Sequence, residues 1–154
     1  MRAKEARVIA YRPPRIAMLL VAGAAAVHWA AATMDLFVFA SLPAGGGLVG
    51  VGFGIMMWGW WSFKKHEVAI CPTARTERLI TCGIYGFTRN PMYLGMILML
   101  AGIALCAGTA PFYLAAVAYF AVINWVFCPY EEEKLRRAFG GQYTQYQGNV
   151  RRWL

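Results

Sequence analysis

Charge is scarce in this chain. Only 14% of its 154 residues are Asp, Glu, Lys or Arg, where a soluble domain carries roughly a quarter. Acidic and imidazole groups are especially few: seven Asp and Glu together, and two His. The four cysteines include no CxxC pair, so no metal-ligand set or disulfide framework is indicated, and small buried hydrophobes are the reading they support. No internal repeat and no low-complexity tail are present. The run Gly50-Val51-Gly52 follows no strand pattern and lies among apolar residues, which excludes a phosphate-cradling loop.

What is abundant is apolar surface. Hydrophobic residues make up 60% of the chain and the mean hydropathy is +0.47. Uncharged runs near the roughly 17–25 residues needed to cross a bilayer recur along it. The expected architecture is an all-α integral membrane domain over residues 1–154. Its spans should fall at about 16–36, 46–63, 92–108 and 111–127, with a cytoplasmic loop and a short amphipathic C-terminal helix. All fifteen basic residues fall within 2–15, 64–89 and 134–152, and none lies near Pro43 or Thr109. By the positive-inside rule this puts both termini in the cytoplasm, as in a bacterial inner-membrane protein. The net charge of +8 is then a topology signal with some attraction for anionic headgroups. It is too dispersed for a nucleic-acid surface. Ala30-Ala31-Ala32 resembles a signal-peptide cleavage site, but the apolar stretch continues through Phe39, so an uncleaved span is expected.

Small residues recur every four positions in the first two spans: Ala22, Ala26 and Ala30, then Gly46, Gly50 and Gly54. Such faces allow close backbone approach, so these spans are expected to pair as a hairpin. His28 and Asp35, seven apart, would share one helical face. The loop over 64–90 is too long for a simple connector, and such loops often carry binding groups. After the fourth span, Pro129 can open a short helix with Glu131, Glu132 and Glu133 in its first turn. Leu135 and Phe139 would form its apolar face, and Gly140-Gly141 would end it.

Two polar clusters stand out against this background. One is GIYGFTRNPMYLG, residues 83–95, where an arginine, an asparagine, a proline and two tyrosines run into a span. Asn90-Pro91 also marks the break before that span. The other is the Glu triplet. A tight hairpin of spans three and four separates them, so both emerge on one side. Tyr85, Arg89, Asn90 and Tyr93 should then meet Glu131 and Glu132. The pocket this makes suits a cationic, aromatic, zwitterionic ligand.

The run LITCGIYGFTRNPMYLG, followed after one hairpin by EEEKLRRAFGGQYTQYQGNVRRWL, resembles the isoprenylcysteine carboxyl methyltransferase and phospholipid methyltransferase family, and its short bacterial members in particular. The likeness runs from near Glu77 to the C-terminus. It implies an S-adenosylmethionine-dependent methyltransferase without a Rossmann domain. The methyl acceptor would be lipophilic, an amine headgroup, a thiol or a carboxylate, taken from the cytoplasmic membrane face. Carried over by motif, Glu77, Arg78, Leu79 and Ile80 would line the cofactor region, which spans 77–95 and 129–154. Tyr85, Arg89 and the run Asn90, Pro91, Met92 and Tyr93 would contact the cofactor. Glu131 would bind its amino group or sugar, with Glu132 as partner, and Glu133 falls on a variable position. Prenylcysteine enzymes carry an arginine four positions before the first paired glutamate. Here that position is Phe127, which argues against a prenylcysteine carboxylate acceptor. Two alternatives share the pattern: a sterol-reductase-like NADPH-dependent membrane reductase, and a non-enzymatic membrane assembly factor. Neither a catalytic base nor an oligomeric state follows from the residues.

Overall fold

The computed structural model describes residues 12–31, 34–65 and 79–154. The elements are α1 (Pro13–Ala30), α2 (Leu42–Lys65), a 3₁₀ turn (Gly83–Gly86), α3 (Pro91–Ala107), α4 (Ala110–Val122), a π turn (Ile123–Phe127), α5 (Cys128–Phe139) and α6 (Gly141–Asn149). Among the described residues there is no strand, only one antiparallel bridge between Phe37 and Thr109. Proline stands in the first turn of α1, α2, α3 and α4. Pro13-Pro14, Pro43, Pro91 and Pro111 occupy these positions, where the missing N–H has no intrahelical partner to lose.

Two helices are long and apolar enough to cross a membrane: Leu42–Lys65, with 24 residues, and the continuous Ala110–Phe139, with 30. Pro91–Ala107 is a shorter apolar helix. Met18, Leu19, Leu114, Val117 and Trp125 all project outward, each more than 60% exposed. An apolar exterior of this kind matches lipid rather than water.

The helices pair differently from the sequence-based expectation. The first two do not form a small-residue hairpin. Instead α2 lies along α3, and α1 lies mainly against α4. Gly46, Gly50 and Gly54 meet nothing within 4 Å. The close approach uses a seven-residue spacing on another face of α2. A Cβ on Gly52 would stand 2.6 Å from the Gly95 carbonyl oxygen, and one on Gly95 would stand 2.5 Å from that of Gly52. Gly45 and Gly102 repeat the contact one step further. Backbone thus touches backbone, as small residues permit in lipid. The four-residue pattern was visible in sequence, but it did not say which glycines face a partner.

The expected hairpin of the third and fourth spans is present, with α3 against α4. A strap from the end of α1 closes the far end of that hairpin. The Val38 N–H donates to Gly108 O, Ala110 N–H to Leu36 O, and the Tyr113 hydroxyl to Phe39 O. Because α1 ends at Ala30, Asp35 shares no helical face with His28; it accepts the Phe37 N–H within the strap.

The fourth span also differs. Pro129 does not open a new helix: α4, the π turn and α5 run on with right-handed helical backbone at Phe127 and Cys128. Proline inside a helix costs about 3 kcal/mol if the ladder stays α-helical. Here the π turn widens the ladder just ahead of it, and the Cys128 N–H reaches back to Ile123 O. The glutamates therefore sit in mid-helix, without the free N-terminus that would explain them by dipole alone. Gly140, at φ 52° and ψ −124°, ends α5 with a backbone that glycine tolerates best. The chain then folds back as α6, which buries Tyr143 and Tyr146 against Leu135 and Phe139.

The glycine contact yields a direct test. Gly95→Ala should lower the melting temperature in detergent, since overpacking costs about 1–3 kcal/mol. Gly50→Ala, which meets open space, should be neutral or mildly stabilising. Equal effects of the two would contradict the assigned interface.

Candidate active site

At the end of the bundle where α2 finishes and α3 begins, a cavity of about 450 Å³ opens among α1, α2, α3, α5 and α6. Every described member of the sequence-based set borders it: Leu79, Ile80, Tyr85, Arg89, Asn90, Pro91, Met92, Tyr93, Glu131 and Glu132. Glu77 and Arg78 lie outside the described residues. Sequence reasoning missed Arg12, Pro13, Pro14, Phe63, Met96, Lys134, Tyr143 and Tyr146 as wall residues, and it placed Leu135 only on an apolar helix face. Tyr143 and Tyr146 carried a signal, a Y-x-x-Y repeat after the glutamates, but alone it also fits interfacial anchoring.

The two glutamates have different environments. Glu131 lies one turn beyond the apolar 110–127 segment and accepts a 2.5 Å hydrogen bond from the Tyr93 hydroxyl. Burial is the main influence on its carboxyl and raises it to about 7, against the smaller opposing pulls of the Tyr93 bond and Lys134. Glu132, one residue on, is buried and held by two arginines. Arg152 approaches side-on, with Nε 2.8 Å from Oε1 and Nη2 2.7 Å from Oε2. Arg89 Nη1 stands 3.3 Å from Oε1, without hydrogen-bond alignment. Removing one partner of such a buried pair costs about 3–5 kcal/mol.

The remaining polar atoms are divided between structure and cavity. The Tyr146 hydroxyl donates to Tyr85 O at 2.6 Å. Thr88 Oγ1 and Asn90 Nδ2 donate to Arg152 O, and the Arg89 N–H donates to Arg151 O. The C-terminal tail thus laces the 88–90 turn in place. By contrast, the Tyr85 hydroxyl and Arg89 Nε and Nη1 are buried without a hydrogen-bond partner. Such donors are costly to leave unpaired, so they are the groups a ligand would satisfy. Burial, with a smaller push from Glu131, holds the Tyr85 phenol well above the ordinary tyrosine range, so Tyr85 acts as a donor.

Phe127 does not reach the cavity wall. It is fully buried in the π turn, with its ring 6.4 Å from that of Tyr93. Its side chain supports Tyr93 rather than contacting a ligand directly.

The apolar helical bundle thus ends in a cavity with a carboxylate at one point and guanidinium and phenol donors at another. Comparison with known proteins gives the class. The phospholipid methyltransferase family model matches residues 40–142. Two Arabidopsis thaliana proteins, protein-S-isoprenylcysteine O-methyltransferases B and A, are 37% and 38% identical over 80 and 78 residues. These alignments take in 48% and 47% of this chain but only 38% and 36% of theirs, so the chain matches well under half the length of these relatives. An uncharacterized Haemophilus influenzae protein is 36% identical over 63 residues, 41% of this chain and all of that one. No solved structure matches. The chain belongs to the isoprenylcysteine carboxyl methyltransferase and phospholipid methyltransferase family of membrane methyltransferases, as its motifs suggest.

Proposed function

We propose that the protein transfers a methyl group from S-adenosylmethionine to a lipophilic acceptor at the cytoplasmic face of a bacterial inner membrane. The observation that carries this reading is the pairing of Glu131, hydrogen-bonded by Tyr93, with the unpartnered donors of Arg89 and Tyr85 around one cavity. A cavity of about 450 Å³ is in the usual range for a ligand of this size. When bound, the cofactor supplies an electrophilic methyl group on sulfur. Glu131 receives its ammonium or ribose, and Arg89 and Tyr85 receive its carboxylate. Glu132, already engaged by Arg152, keeps Arg89 in place.

A carboxylate near the sulfonium favours ground and transition states nearly alike and so serves binding. Rate then comes from holding the acceptor in line with the methyl group. Pro14, Phe63, Met92 and Met96 give the cavity an apolar wall suited to such an acceptor. Phe127 supplies no guanidinium for a prenylcysteine carboxylate, which leaves an amine headgroup, a thiol or another carboxylate as acceptor. Four crossings with both termini cytoplasmic belong to this reading; the confinement of all fifteen basic residues to three segments supports it, and two helices are long and apolar enough to cross, with a third apolar but shorter. Residues 77–95 and 129–154 then form one cytoplasmic cofactor region.

Calorimetry on the purified protein should detect S-adenosylhomocysteine binding that Glu131→Ala or Tyr93→Ala abolishes. Because Glu131 is ionised only above about pH 7, affinity should fall as pH is lowered from 8 to 6, by up to about tenfold per unit, and Glu131→Gln should remove that dependence. No wild-type binding at millimolar ligand would refute the cofactor assignment. For the topology, alkaline phosphatase fused after Leu154 should be inactive and a fusion after Thr109 active. The reverse pattern would overturn the orientation.

A further inference from the structure

Arg152 lies beyond the 40–142 region matched by the family model and does not border the cavity, yet it makes the densest set of polar contacts described. Its guanidinium grips both oxygens of Glu132. Its Nη1 also donates to Asn124 O at 3.2 Å and to Asn124 Oδ1 at 3.3 Å. The Asn124 carbonyl is available for a local reason. In an α-helical ladder its donor would be the Cys128 N–H, which in the π turn goes to Ile123 instead. A π-type bond would need an N–H from residue 129, which is proline. The tail fills that gap. Trp153 Nε1 donates to the same Asn124 side chain at 3.1 Å, so Arg152 is anchored on the helix that carries both glutamates.

We infer that Arg152 is a positioning residue: by saturating Glu132, it prevents Arg89 from collapsing onto that carboxylate and keeps Arg89 available to an anionic group of the ligand. The geometry supports this division of labour. A carboxylate accepts a planar guanidinium best side-on, through two parallel bonds. Arg152 occupies that position on Glu132, which leaves Arg89 a single 3.3 Å approach to Oε1. The consequence is that Arg89 Nε and Nη1, beside the cavity, make no aligned hydrogen bond. Tyr143 and Tyr146 also lie near Arg89; the Tyr143 phenol is raised chiefly by burial and lowered in part by a hydrogen bond from that arginine. Without Arg152, Arg89 is the cation placed to take the bidentate seat, and its donors turn from the cavity to Glu132.

The inference rests on the cofactor assignment for its ligand arm, and a ligand-free arm is independent of it. In the first arm, S-adenosylhomocysteine is compared with its decarboxylated analogue, which keeps the amine and lacks the carboxylate. Arg152→Ala should weaken S-adenosylhomocysteine by about tenfold or more, the scale of one lost charge-assisted hydrogen bond, and leave the analogue nearly unaffected. Arg152→Lys, which keeps the charge without the fork, should fall between. Equal weakening of both ligands would reveal a general loss of structure and overturn the inference, as would no effect on either. In the second arm, with no ligand present, Arg89→Ala should lower the melting temperature more in the Arg152→Ala background than in the wild-type background, because Arg89 would then be the principal partner of Glu132. An equal or smaller effect overturns the inference. If wild-type protein binds neither ligand, the cofactor assignment fails and the thermal comparison decides the role of Arg152.

Discussion

The carboxylate of Glu132 is the point on which the site depends. It is buried at the end of an apolar helix, where an unpaired charge is prohibitive, and it collects cations from two segments far apart in sequence. Arg89 comes from the turn before α3 and Arg152 from the tail after α6. Once both are bound, the 88–90 turn and the tail have little freedom. Hydrogen bonds from the Thr88 and Asn90 side chains to Arg152 O and from the Arg89 N–H to Arg151 O follow the same path. Glu131 faces the cavity and accepts the Tyr93 hydroxyl. Adjacent identical residues thus have different settings, one neutralised by two arginines and the other bordering the cavity.

Lipid explains the rest of the arrangement. Where the exterior is apolar, helix association relies on close packing, and the backbone contact of Gly52 with Gly95 brings α2 alongside α3. That contact puts Phe63, near the end of α2, beside Tyr85, forming one wall of the cavity. The other wall comes from the long helix. The π turn lets it pass Pro129 unbroken, presents Glu131 and Glu132 from a rigid element, and leaves the Asn124 carbonyl for the tail. A feature that relieves proline strain thereby becomes an anchor for the site.

Much of this was legible in the residues. The helical membrane class follows from the sparse charge and long apolar runs. The meeting of 83–95 with the glutamates follows from one short hairpin, which forces both clusters to the same end. Family membership follows from two motifs in the right order. The glycine interface was misassigned because the four-residue repeat of Gly46, Gly50 and Gly54 is a property of one helix, while the partner depends on which face another helix can approach. The break expected at Pro129 is replaced by a π turn because proline disfavours an α ladder without requiring the helix to end. Arg152 stands inside the family-like run ending NVRRWL, but nothing local tied it to Glu132: an arginine in a basic tail reads as a topology charge until its distance to that carboxylate is known.

The central claim is that the 83–95 turn, the glutamate helix and the C-terminal tail form one unit around one ligand. Hydrogen exchange on the purified protein, with and without S-adenosylhomocysteine, tests it most directly. Peptides covering 84–93, 128–135 and 146–154 should gain protection together, while the strap at 34–41 stays unchanged. Protection confined to a single segment, or appearing in the strap, would contradict the account.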